Sequence, residues 1–172
     1  MSKIFKLLFT LMIFAFTVNA NVSEDKLKVL IVGKVAKFIS WEKSDNKNFV
    51  ITILNNPFGD MFDKAFKGKK IKKKDVEIKY IDNIDQLGFT NILYISNKDS
   101  KNLDTILERV KGKNILTVSG IRGFAQKKGA MQIYFASQKV KLKINLDTAK
   151  EDNLKIKSSL LRIADVIRGD DS

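Results

Sequence analysis

Among its 172 residues the chain has no cysteine and no histidine, and only one proline, Pro57, and one tryptophan, Trp41. Without cysteine there is no disulfide, no thiol nucleophile and no thiolate metal ligand. Without histidine there is no Ser-His-Asp triad and no imidazole acid or base. Carboxylate pairs, Ser-Lys arrangements and oxygen-ligand cation sites are the chemistry that remains. Binding is therefore the expected activity, and neither a cofactor nor a metal is expected. Arginine is scarce as well: Arg109, Arg122, Arg162 and Arg168 are the only arginines among 32 basic residues. The formal net charge of +13 points toward an acidic partner, anionic lipid or nucleic acid. Base and phosphate recognition leans on arginine forks, however, and lysine here accompanies abundant Asn and Ile, which reads as a compositional bias. Nucleic acid is not the expected partner.

The first residues carry Lys3 and Lys6, an apolar run from Leu7 to Val18, and then Val18-Asn19-Ala20. That order predicts a secretory signal peptide over 1–20, cleaved after Ala20, because the run is short for a bilayer span and polar residues follow it. No cysteine follows for lipid attachment. Residues 21–172 are the length of one domain, expected to be exported, soluble and built on packing alone.

Along that domain, Leu27, Leu30, Ile31, Val35 and Phe38 are spaced for a helix face behind Ser23, Glu24 and Asp25, yet Val29-Leu30-Ile31-Val32 also fits a buried strand ending at Gly33. Phe49 to Leu54 reads as a strand covered on both faces. Asn56-Pro57 reads as the cap of a helix over about 57–67. The lysine-dense stretch Lys67–Lys74 reads either as a dock for acidic protein or lipid or, more plainly, as a solvated connection, and Val76 to Tyr80 as an edge strand. Ile92 to Ile95 predicts a strand, Leu103, Ile106, Leu107 and Val110 a helix stopping at Gly112, and Ile115 to Val118 another strand. Three strand–helix alternations predict a three-layer α/β fold with a mainly parallel sheet. Met131 to Phe135 and Val140 to Leu146 then predict an antiparallel hairpin added to it, and a last helix runs from about Ser158 through Ile167.

Each singled-out motif has a plain reading beside a functional one. Asn56 and Asp60, around Phe58, follow the first strand, where ligands of open α/β sheets bind, but Asn-Pro also caps a helix unaided. Phe38 and Trp41 near the end of the first helix would anchor a partner or plug that helix onto the sheet. Lys155 and Lys157 precede Ser158, whose helix could aim free N–H groups at a small anion, or they are two solvated lysines. Asp60 and Asp147 are the carboxylates a hydrolase would need, and nothing in their spacing brings them together on one element.

Five stretches in order resemble the YfiR/HmsC-like family of periplasmic proteins: Lys34-Val35-Ala36-Lys37-Phe38-Ile39-Ser40-Trp41, Asn56-Pro57-Phe58-Gly59-Asp60, Asn91-Ile92-Leu93-Tyr94-Ile95-Ser96, Leu116 through Phe124, and Ile144-Asn145-Leu146-Asp147 with Leu160-Leu161-Arg162-Ile163-Ala164. The resemblance implies a helix over 24–41 and a mainly parallel α/β sheet. It also implies a periplasmic repressor of an inner-membrane diguanylate cyclase, bound through the sensor portion of that enzyme and so acting on cyclic di-GMP and biofilm formation. A homodimer is compatible with it. Family members commonly carry disulfide cysteines, one near Thr90 or Asn91. Their absence here counts against a redox-gated version of that regulation, not against the fold.

Overall fold

The structure, a computed structural model, describes residues 23–42 and 44–168. The predicted signal peptide over 1–20 lies outside them. Helix α1 (Glu24–Ala36) starts at Ser23, whose hydroxyl accepts from Lys26 N at 3.3 Å, with Glu24 and Asp25 favourably placed in its first turn. Leu27, Val29, Ile31, Val32, Val35 and Ala36 are buried, so the helix is covered on most sides. That is why its apolar residues also fit a strand pattern. The helix ends at Ala36 and does not reach residue 41. A tight turn, with Phe38 N donating to Val35 O at 2.9 Å, leads into strand β1 (Ile39–Ser40).

Strand β2 (Phe49–Leu54) is buried throughout. Asn56 caps no helix: its Oδ1 accepts from Phe58 N at 2.9 Å and its amide donates to Gly59 O at 2.8 Å, closing a turn on itself. Helix α2 (Met61–Phe66) therefore starts later than the Asn-Pro signal suggests. The lysine-dense stretch is not a plain connection but a hairpin, β3 (Lys70–Ile71) turning into β4 (Lys74–Ile81), with Lys72 and Lys73 at φ of 53° and 67°. Ile71, 4% exposed, pins that hairpin to the core.

Strand β5 (Ile92–Ile95), helix α3 (Leu103–Val110) and strand β6 (Leu116–Ser119) follow as the periodicities predict, with a 3-10 turn over Asn97–Asn102 leading into α3. The hairpin β7 (Met131–Ala136) and β8 (Lys139–Asn145) turns through Ser137 and Gln138, both left-handed. Helix α4 (Leu146–Glu151) was not expected; Asn145 caps it by accepting from Thr148 N at 3.0 Å. After strand β9 (Lys155–Ile156), the predicted last helix shrinks to α5 (Ser158–Leu161), and Asp165–Ile167 forms strand β10 beside β8.

The large sheet has the order β10-β8-β7-β6-β5-β2-β4-β3. The pairs β4–β2–β5–β6–β7 are parallel, while β7–β8 and β3–β4 are antiparallel. Alternate residues feed opposite faces: Ile51, Ile53, Ile92 and Tyr94 pack with α1 and α2, whereas Leu54, Leu93 and Ile95 pack with α3 and Phe124. This is the expected three-layer α/β fold. A second, two-stranded sheet joins β1 to β9, pairing Ile39 with Ile156.

Candidate functional site

Parallel strands give the molecule two unlike ends. At the amino end, before β2, β5 and β6, Trp41 is hung on the sheet: its indole Nε1 donates to Asn91 O at 3.0 Å, and its ring meets Phe49 edge-on at 5.1 Å. Asn91 is itself buried, and its Oδ1 accepts from Val50 N at 2.9 Å. Trp41 is thus a plug for this end of the sheet while remaining half-exposed. Lysines hold the surrounding segment. Lys74 Nζ donates to the carbonyls of Ser44 and Asn46 at 3.0 and 2.6 Å, and Lys72 Nζ to Lys37 O at 3.3 Å.

The ridge Ser40–Trp41–Glu42 divides two open hollows. One, of about 410 Å³, is completed by Asp45, Phe49, Lys72 and Lys74. The other, of about 390 Å³, is completed by Lys150, Leu154 and Lys155. Both volumes fall in the range that small ligands occupy. Cations crowd here: partial burial and then the charge of Lys157 hold the Lys72 ammonium below its ordinary pKa, and burial and then Lys37 do the same to Lys34.

The residues singled out in the sequence fall into two separate groups. Phe38, Trp41, Lys155, Lys157 and Ser158 come together at the amino end, where Lys157 N donates to Phe38 O at 2.9 Å. Phe38 is half-buried against the core. Ser158 does open a helix, α5, but one of only four residues that no side chain caps, with Lys157 at its N-cap position. Asn56, Phe58 and Asp60 lie at the opposite, carboxyl end. Phe58 is 4% exposed and packs against Tyr94 and Phe62 at 4.9 and 5.4 Å, so it belongs to the core and offers a partner no surface. Asp60 pairs with Lys64 at 2.8 Å.

Asp147, in α4 after the antiparallel strand β8, lies at the amino end near Lys150, so the sheet separates it from Asp60. These two carboxylates are not an acid–base pair. Sequence reasoning gave Glu42 no role, took Lys72 and Lys74 only as part of a lysine-dense stretch, and met Asn91 only through the resemblance. The one available signal was Ile71, an apolar residue inside a lysine run, which marks a strand with an inward face.

Among the described residues no group of three His, Cys, Asp or Glu side chains is placed to hold a metal ion, and no helix is long and apolar enough to cross a membrane. No curated protein matches the sequence. The ABC domain in complex with L-Trp from Streptococcus pneumonia shares the fold, with a TM-score of 0.56 at 12% identity over 81% of this chain. This chain spans 60% of that one. Residues 25–165 match the family described as YfiR/HmsC-like. The chain belongs to the YfiR/HmsC-like family.

Proposed function

We propose that the protein is a periplasmic regulatory binding protein that represses an inner-membrane diguanylate cyclase by binding its sensor portion. Membership of the YfiR/HmsC-like family carries this reading, since that family points to regulation of cyclic di-GMP signalling and not to catalysis. The chemistry on the chain agrees: it has no thiol or imidazole, and its two candidate carboxylates sit at opposite ends of the sheet. The contact face in this reading is the amino end, where half-exposed Trp41 stands on a ridge fixed from several sides.

The test is crosslinking in cells of a tagged chain, followed by recovery from solubilised membranes and identification of captured proteins. A membrane protein with a periplasmic sensor and a cytoplasmic cyclase domain is the expected catch, lost with Trp41→Ala while Phe58→Leu, a core change, retains it. Capture of the protein alone, with wild-type amounts of cyclic di-GMP in a deletion strain, overturns the reading.

The two hollows favour a second, compatible reading in which a small anionic ligand binds beside Trp41 and Lys155 and tunes the partner complex by differential affinity. Trp41 is the sole tryptophan, so its fluorescence reports binding directly. Titration with nucleotides and amino acids should shift the emission, and Lys155→Ala should abolish that shift. A ligand shift that survives Lys155→Ala removes this site.

A further inference from the structure

Segments that follow helices α1 to α3 or precede strands β2, β4, β5, β6 and β7 are delivered to the amino end of the sheet, and several of them carry lysine. Lys37 follows α1, Lys72 and Lys73 form the tip between β3 and β4, Lys113 precedes β6, and Lys155 and Lys157 flank β9. All six are exposed, and none forms an ion pair with a described carboxylate. Lys37, Lys72 and Lys157 are also close to one another. Lys72 reaches Lys37 O at 3.3 Å, and Lys157 N reaches Phe38 O at 2.9 Å. Lys72 and Lys73 occupy the left-handed positions of a hairpin turn, where Gly or Asn costs least, so the turn keeps two charges at some backbone strain.

We infer that this amino-end face docks the protein on an anionic phospholipid bilayer. A discrete anion site is the poorer fit, because the longer helices α1 and α3 begin at the carboxyl end, while at the amino end α4 is already capped by Asn145 and α5 has only four residues. What the amino end offers is diffuse: separated lysine charges that outnumber the exposed Glu42 and Asp45 among them, on an open surface, the arrangement that an extended anionic surface attracts. The inference deepens the proposed function, since a membrane-bound partner would then be met by a protein already oriented on that membrane. Its test needs no partner, so the two can fail separately.

The experiment is co-sedimentation of the purified protein with vesicles containing about one-third phosphatidylglycerol, against pure phosphatidylcholine, in low and high salt. Binding is expected only to the anionic vesicles and should be lost in high salt. Lys73→Glu, Lys155→Glu and Lys157→Glu combined should weaken it by more than a hundredfold, since removing each lysine's charge alone costs roughly fivefold and each Glu reverses it. The same three changed to Gln give a milder loss if the Glu variant fails to fold. Lys98→Glu, Lys101→Glu and Lys139→Glu, an equal change in net charge at the carboxyl end, should cost no more than a few-fold. Equal loss in both triples, no binding to anionic vesicles, or displacement by inorganic phosphate at constant ionic strength would each overturn the inference. The last outcome would mark a discrete ion site instead.

Discussion

At the carboxyl end of the sheet Asn55 gives its amide to Asp99 at 2.7 Å and Ser96 gives its hydroxyl to the same carboxylate, whereas at the amino end Lys73, Lys155 and Lys157 meet no described carboxylate. The contrast follows from helix direction. α1, α2 and α3 begin at the carboxyl end, and their first turns hold Glu24, Asp25, Asp63 and Asp104, which the positive helix ends favour. Their carbonyl ends face the other way and favour lysine. In open α/β folds the carboxyl end is the usual ligand face. Here Asn55, Ser96 and Asp99 bond to one another and Phe58, Phe62 and Tyr94 fill an aromatic cluster, while the amino end keeps open hollows on both sides of Trp41. The function proposed here sits at the end that the general rule passes over.

The largest expected effect breaks the carboxyl-end cluster. Phe62 is fully buried, with Phe58 at 5.4 Å and Phe66 stacked at 5.9 Å. Phe62→Ala should lower unfolding free energy in urea by about 3–5 kcal/mol, through lost burial and the cavity left behind. Gly33→Ala tests the same packing from α1. A Cβ there would lie 2.5 Å from the Phe66 ring, so overpacking should cost about 1–3 kcal/mol, and adding Phe66→Leu should return part of it. If Gly33→Ala is neutral, α1 and α2 are less tightly apposed than that distance requires.

These two positions also show what could be read in the sequence. The strands Phe49–Leu54 and Ile92–Ile95 and the stripe of α3 were legible, because one covering layer on each face gives a clean period. The residues of α1 were not, because a helix buried nearly all round loses its stripe: Val29, Ile31 and Val32 are all inside. The C-terminal stretch failed for a related reason. Leu160, Leu161, Ile163 and Ala164 suit a helix, but pairing of Val166 with Ile144 across β10 and β8 decides its end, and that contact is distant in sequence. Of the candidate site, Trp41 and Lys155 were legible as residue types. Lys72 and Lys74 were not, since nothing local separates a lysine that holds the chain from one that faces water.

At the amino end, Asp152 carries a pH-dependent test. It is 2% exposed and accepts from Gly112 N at 2.6 Å, tying α4 to the end of α3. Burial first, then the neighbouring Glu151, outweigh that hydrogen bond and the attraction of Lys111, and raise its pKa from 3.8 to about 6. The folded chain thus holds this proton up to a higher pH than the unfolded chain. Stability contributed by the protonated carboxyl is full below the unfolded value and is lost as the pH rises toward 6. Asp152→Asn keeps an oxygen acceptor for Gly112 N and cannot ionise. Its Tm should exceed that of the parent at pH 7.5, with the gap closing by pH 4; a gap independent of pH would show that ionisation of Asp152 is not what the fold resists.

The smallest effect separates the two roles of Trp41. Trp41→Phe keeps an aromatic ring against Phe49 and removes the N–H that donates to Asn91 O. That carbonyl still accepts from Leu116 N at 2.9 Å, so it is not stranded, and the loss by urea unfolding followed by circular dichroism should be about 1 kcal/mol. If the ridge serves mainly as a plug, membrane-partner capture by the Phe variant should match that of the parent at temperatures where both are folded. If the exposed indole is itself the contact, capture should fall well below the parent although the fold is nearly as stable. Loss of capture without comparable loss of stability would place the partner at the amino end, against Trp41, and not merely on a surface that Trp41 supports.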